Sequence, residues 1–155
     1  MSSYTAQNTG ARKLFRIPEG LKAGIVMLIV VSLPFFVAYF VFPNTMMNIF
    51  VKSSEAGIID VGRIFLKIVA PFYFVISAKL TFDGILRGAG RMRAFMASTF
   101  TDLFLRVILA YVFSYALNSE VGIWLSWPVG WTIAVVISAV FYFIYYKTTI
   151  KNGAN

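Results

Sequence analysis

The sequence contains no cysteine and no histidine, and few of its residues are charged. Without cysteine there is no disulfide framework, no thiolate metal site and no cysteine nucleophile. Without histidine the chain lacks the commonest general base and metal ligand. Charged residues make up 13% of the chain, whereas an average soluble domain has about 25%. We therefore predict no catalytic residue, no metal site and no enzyme activity.

Much of the sequence consists of long apolar runs. Hydrophobic residues make up 59% of the chain, and neither residues 23–51 nor residues 121–146 contain a formal charge. A helix needs roughly 20 apolar residues to cross a bilayer core of about 30 Å. Both runs are long enough, and tryptophans and tyrosines flank the second one as they flank membrane helices at the two interfaces.

Two further segments are apolar but carry two or three charges each. Between two clear spans, they are better interpreted as membrane helices than as buried helices of a soluble enzyme. The sequence therefore predicts an all-α integral membrane protein with a transmembrane region over residues 23–147. We place its four transmembrane helices at about 23–43, 64–86, 94–117 and 121–146.

Basic residues concentrate in the N-terminal segment 1–22, in the link 87–93 and around the tail 148–155. They are Arg12, Lys13, Arg16, Lys22, Arg87, Arg91, Arg93, Lys147 and Lys151. In the link 44–63, by contrast, Lys52 and Arg63 are balanced by Glu55 and Asp60. Because cytoplasmic loops are rich in Lys and Arg, we expect both chain ends in the cytoplasm, at a plasma membrane. The net charge of +8 then anchors loops at the lipid bilayer and predicts no nucleic-acid partner.

Two pairs of opposite charges lie within the predicted membrane helices. Lys79 and Asp83 are four residues apart, as are Asp102 and Arg106, so each pair shares a helix face. Intramembrane charges face a bundle interior or a wet cavity. Lys79 and Asp83 either line a polar pathway for a substrate or proton or form a structural ion pair. For Asp102 and Arg106 we expect a structural role, such as an interhelix clamp.

Glycine and proline mark the second predicted helix and its inner end. Gly84 and Gly88 form a small-xxx-small pair that allows close approach of another helix, while Gly88 and Gly90 suit a tight turn. Pro34 and Pro71 predict kinks in the first and second helices.

Four short motifs, taken in order, resemble the multidrug and toxin extrusion (MATE) family of transporters. They are "QNTGAR" at 7–12, "GILRGAGR" at 84–91, Arg106 within "LRVILAY", and "GIW" at 122–124. The resemblance places family-motif residues at Gln7, Asn8, Gly10, Arg87 and Gly90. It extends over nearly the whole chain.

The resemblance implies a fold of twelve helices in two lobes, of which this chain holds the end of helix eight and helices nine to twelve. The N-terminal lobe of the same transporter is then a missing partner. Family members exchange drugs and organic cations for H⁺ or Na⁺ and use no cofactor, and they occur most commonly in the plasma membrane of bacteria, the inner membrane. One departure is Ile76, which stands where some members carry a cation-coupling carboxylate.

Two alternatives remain beside a multidrug antiporter. One is a fragment of a related lipid-linked oligosaccharide flippase, which shares the fold, and the other is a small membrane partner protein without transport. In each case the intramembrane charges need partners from neighbouring helices. We therefore expect the isolated chain to be inactive in transport.

Overall fold

The computed structural model describes residues 1–51 and 56–151, and every regular element within them is helical. Seven α-helices follow one another, with a short 3₁₀ turn at Ala70–Phe72 and a π-helical turn at Tyr146–Ile150. The helices are α1 (Ser2–Gly10), α2 (Arg16–Val41), α3 (Pro43–Phe50), α4 (Ala56–Val69), α5 (Tyr73–Gly88), α6 (Met92–Leu117) and α7 (Val121–Tyr145).

Helices α1, α5 and α7 run in one direction, and α2 and α6 run in the other. Ring contacts join Phe82 to Tyr142 near the C-terminal ends of α5 and α7. The ring of Tyr73, at the start of α5, contacts that of Trp131, near the middle of α7. One end of the bundle therefore contains the end of α1, the start of α2, the α5–α6 turn and the end of α7. All three basic segments of the sequence meet there, and we call this the basic end.

Three helices in the described residues are long and apolar enough to cross a membrane. They are Arg16–Val41, Met92–Leu117 and Val121–Ile150, the last of which includes the π-helical turn. At 1.5 Å per residue, a helix of 26 residues is about 39 Å long. Val26, Met27 and Val30 of α2 are exposed on the outside of the bundle, as lipid-facing residues would be. The prediction of an all-α protein with several membrane helices is confirmed.

The predicted helix 64–86 is interrupted at Pro71, where the sequence predicts a kink. Helix α4 ends at Val69, the 3₁₀ turn follows, and α5 begins at Tyr73. Pro71 lies in this turn. Proline lacks a backbone N–H, and its ring collides with the carbonyl group four residues earlier, so an α-helix cannot pass through it undisturbed. Pro34, in contrast, lies inside α2 without dividing it.

The basic N-terminal segment 1–22, which the sequence predicts to be a loop or an amphipathic segment, is largely helical. It contains α1 and the first seven residues of α2. Pro18 falls in the first turn of α2, where proline is tolerated, and Glu19 in the same turn favours the helix N-terminus. At the other end, the π-helical turn extends into the predicted tail. Residues 152–155 of that tail, together with Lys52 and Glu55, lie outside the described residues.

The buried core lies towards the basic end. Its members are Ile17, Ile85, Tyr142, Tyr145 and Ile150, which come from α2, α5, α7 and the π-helical turn. Two glycines allow close helix contacts, Gly88 beside this core and Gly122 at the opposite end of the bundle. A Cβ atom at Gly88 would collide with the backbone of Ser2 in α1, and one at Gly122 would collide with the backbone of Phe113 in α6.

We expect Gly122→Ala to lower the stability of the bundle by about 1–3 kcal/mol, because the added methyl group forces α6 and α7 apart. Thermal unfolding of the purified protein in detergent measures this effect. Gly57→Ala is the matched control, since no atom of the described residues lies within 4 Å of the added Cβ and alanine favours a helix. Equal melting temperatures for the two variants would contradict the close contact.

Candidate functional site

Lys79 and Asp83 form a buried ion pair on α5. The Lys79 Nζ atom lies 2.6 Å from Asp83 Oδ2, and the two residues are only 4% and 1% exposed. The pair follows from helix geometry, because side chains four residues apart lie on the same face. Isolated charges are costly to bury, and direct pairing reduces that cost.

A chain of hydroxyl groups connects this pair to two other helices. Ser138 on α7 donates to Asp83 Oδ1 at 2.6 Å, and the oxygen atoms of Ser98 on α6 and Ser138 are also 2.6 Å apart. A serine hydroxyl has only one proton. Since Ser138 gives its proton to Asp83, the Ser98 hydroxyl is the donor to Ser138, and it shares this proton with the Ala134 backbone oxygen at 3.3 Å.

We call Lys79, Asp83, Ser98 and Ser138 the polar clamp. It joins α5, α6 and α7, and all four residues are buried. Both carboxylate oxygens of Asp83 have a close partner, so the geometry is that of an interhelix connection. The sequence analysis identified the charged pair but missed both serines. The only available signal was that each serine interrupts an apolar stretch of a predicted membrane helix.

Asp102 and Arg106 form a second pair, on the side of α6 that faces α7. Arg106 Nη2 lies 2.6 Å from Asp102 Oδ2, and the guanidinium carbon lies 4.9 Å from the centre of the Trp127 ring. A cation over a tryptophan face is attracted by the ring electrons. Gly130 allows α7 to pass beside Asp102, because a Cβ atom there would lie 3.2 Å from Asp102 Oδ1. This geometry fits the interhelix clamp that the sequence suggests.

A groove of about 740 Å³ lies along α1, α2 and α5, on a different face of α5 from the polar clamp. Its floor includes Ser32 and Ser77, whose hydroxyl oxygens are 3.2 Å apart. Gly20 and Gly24 contribute to the wall on α2. Neither Lys79 nor Asp83 lines the groove. The structure therefore does not bring the predicted pathway residues to this opening.

Small residues of α5 form a stripe that faces α1 and the groove. Ser77 and Thr81 line the groove, and Gly84 and Gly88 follow at the same helical spacing against α1. Gly84 and Gly88 thus have the close helix neighbour that their spacing suggests. That neighbour is α1, since Met1 and Ser2 lie against Gly84.

The family-motif residues lie at the ends of α1 and α5. Asn8 is buried and donates to the backbone oxygen of Tyr4 at 2.8 Å, while Gln7 and Gly10 are on the surface. Gly90 has a φ of +73° and ends α5 in a left-handed turn. The Arg87 guanidinium carbon lies 4.9 Å from the centre of the Phe95 ring.

A comparison with protein families extends the four-motif resemblance. The model of the MatE family matches residues 1–112, which is more than two thirds of the chain. The chain belongs to the MatE family. The resemblance to multidrug and toxin extrusion proteins is thereby confirmed. A comparison with curated proteins found no match.

The MatE family is a family of membrane transporters and not, in general, of enzymes. The matched range contains α1 to α5 and most of α6, so it includes Lys79 and Asp83 as well as Asp102 and Arg106. The "GIW" motif and the serine that α7 contributes to the polar clamp lie beyond it.

We expect Asp83→Asn to destabilise the MatE protein by about 3 kcal/mol, because it leaves the Lys79 ammonium buried without its counter-charge. The double variant Lys79→Met and Asp83→Asn should recover much of that loss, since both charges are removed together. Thermal unfolding of the single and double variants measures the difference. Strictly additive losses would mean that the two side chains do not form the buried pair.

Proposed function

We propose that this chain forms part of the second lobe of a secondary antiporter that exports drugs and organic cations. The segment from α4 to α5 acts as one membrane span that is broken at Pro71. Together with the three long helices it gives four spans. The basic end then lies in the cytoplasm, as expected for segments rich in Lys and Arg.

The groove beside α1 is the observation that carries this proposal. Tyr4 packs against Gly20, and Met1, one turn earlier, packs against Gly24. Leu28 and Ser32 follow Gly20 and Gly24 at the same four-residue spacing along α2, and both line the groove. A helix that extends α1 in the direction of its N-terminus would fill the groove, as expected for a chain that is one part of a larger bundle.

Export by alternating access needs a coupling ion, and we propose H⁺ or Na⁺. The described residues offer little for a cation site on α5, because Ile76 is apolar and Asp83 is engaged by Lys79 and Ser138. The coupling carboxylate then belongs to another part of the transporter. Lys79 and Asp83 support transport by holding α5 against α7 and not by carrying the proton.

The gene product that contains this sequence should lower the accumulation of ethidium in a pump-deficient bacterium, and collapse of the ion gradient should abolish the effect. The 155 residues expressed alone should give no efflux. Ethidium fluorescence in cells measures both.

Efflux by the short chain would contradict the proposal. Restored cell-wall synthesis in a flippase-deficient strain, without drug efflux, would favour a flippase. No activity in either assay would point to a partner protein without transport.

Lys79→Met in the same gene product should reduce the amount of folded protein while leaving transport per folded molecule nearly unchanged. The substitution leaves the Asp83 carboxylate buried without its counter-charge and so lowers the free energy of unfolding. The proposed substrate route does not include Lys79 or Asp83, so folded molecules should still transport. Efflux divided by the folded protein in the membrane is the quantity to measure. A loss of transport of about tenfold or more in folded protein, equal to about 1.4 kcal/mol, would show that Lys79 takes part in transport itself.

A further inference from the structure

The basic end contains a cavity of about 530 Å³ that the proposed transport does not use. It is lined by Thr9, Arg12, Leu14, Ala89, Gly90, Arg91, Tyr145 and Thr149. Two guanidinium groups and three hydroxyl groups thus surround one opening, and no carboxylate is among the described residues that line it. This composition suits an anion with several oxygen acceptors, such as a phosphate group.

Arg91 is held in place at the rim of this cavity. Its Nη2 atom donates to Thr149 Oγ1 at 2.9 Å, and its guanidinium carbon lies 5.3 Å from the centre of the Tyr145 ring. A guanidinium group has five N–H donors, so this arrangement leaves several for a ligand. Stacking on tyrosine fixes the plane of the group and reduces the entropy lost on binding.

Arg12 occupies a backbone position that favours glycine. Helices α1 and α5 end in the same hydrogen-bonded motif: Lys13 N–H donates to the Asn8 oxygen, and Arg91 N–H donates to the Leu86 oxygen. The left-handed residue of this motif is Gly90 in α5, but in α1 it is Arg12, with a φ of +57°. A side chain there costs about 1 kcal/mol relative to glycine, which suggests that the guanidinium group has a use.

The helix ends around the cavity do not prevent anion binding. Carbonyl groups at a helix C-terminus carry partial negative charge and would repel a phosphate. In both helices the end motif already uses these carbonyl groups, since the oxygens of Thr9 and Arg87 also accept hydrogen bonds from Arg12 and Gly90.

A second cavity adjoins the first and is more apolar. It measures about 650 Å³ and is lined by Gly90, Arg91, Met92, Arg93, Ala94 and Phe141. Gly90 and Arg91 therefore border both cavities. Met92 is half exposed on the outer surface of α6. Although Arg91 and Arg93 also line this second cavity, its apolar side chains, Met92, Ala94 and Phe141, could contact the hydrocarbon tail of a molecule whose phosphate head lies in the first cavity.

We propose that these two cavities bind the phosphate group of an anionic phospholipid, with Arg12 and Arg91 as the main ligands. The glycerol backbone and the first part of an acyl chain lie along Met92 and Phe141. The proposal rests on the proposed cytoplasmic position of the basic end, which places these residues at the level of the lipid phosphates. It is independent of the substrate and of the coupling ion.

Native mass spectrometry of the purified gene product tests the site with phosphatidylglycerol as the probe. Removing each guanidinium group should weaken lipid retention by about fivefold, so Arg12→Gly combined with Arg91→Gln should lose most bound lipid. The matched control is Lys147→Gln combined with Lys151→Gln, which removes the same charge from the same end, away from both cavities. The control should retain the lipid.

Two further measurements separate the site from simpler explanations. Arg12→Gly alone removes the strained backbone conformation, so it should melt no lower than the parent protein while it loses lipid. Excess inorganic phosphate should displace little phosphatidylglycerol, because the apolar cavity adds to lipid affinity. Equal losses in the arginine and lysine variants, full retention by folded Arg12→Gly, or ready displacement by phosphate would each overturn the proposal. Lipid retention is measured on purified protein, so a failure of the lipid-site proposal can be distinguished from a failure of the proposed efflux activity.

Discussion

The arrangement of α5, α6 and α7 depends on the need to satisfy the carboxylate of Asp83. A charge at this depth in a membrane protein is costly unless both of its oxygens have partners. Lys79 supplies the first partner from the same helix. Only a second helix can supply the other, and Ser138 does so from α7. Ser98 then fixes the Ser138 hydroxyl from α6, so one carboxylate sets the relative rotation of three helices.

The same requirement explains why the charged residues and the small residues of α5 lie on different faces of the helix. Its charged residues face α7, where serine hydroxyls are available, and its small residues face α1 and the groove. If the two sets shared a face, a close helix neighbour would leave no room for the lysine side chain. The separation allows α5 to hold one neighbour by polar contacts and another by close packing. A mobile lobe benefits from this, because packing between small residues permits sliding whereas a buried ion pair does not.

Much of the fold follows from the apolar runs, but the helix boundaries do not. Run length predicts spans because the bilayer sets a minimum length. It places the start of the first span at residue 23 because Lys22 is charged, although the backbone remains helical back to Arg16. Run length does not detect the break at Pro71, which the proline itself predicts as a kink, because the break arises from lost backbone hydrogen bonding and not from polarity. Lys79 and Asp83 are predictable as a pair from helix spacing alone. Ser138 is 55 residues from Asp83, and no local pattern connects them.

The basic end illustrates a further difference between counting charges and locating them. The number of Lys and Arg residues in each segment predicts the orientation of the chain in the membrane, because every such residue contributes alike to the cytoplasmic bias. The structure distinguishes them although all four are exposed: the guanidinium groups of Arg87 and Arg91 lie over the rings of Phe95 and Tyr145, whereas no ring contact is described for Lys147 or Lys151. Stacked guanidinium groups keep a fixed geometry that can recognise a phosphate, and exposed ammonium groups contribute mainly to the potential. Residues that orient the chain in the membrane can therefore also select the lipids around it, since both tasks need positive charge at the same depth.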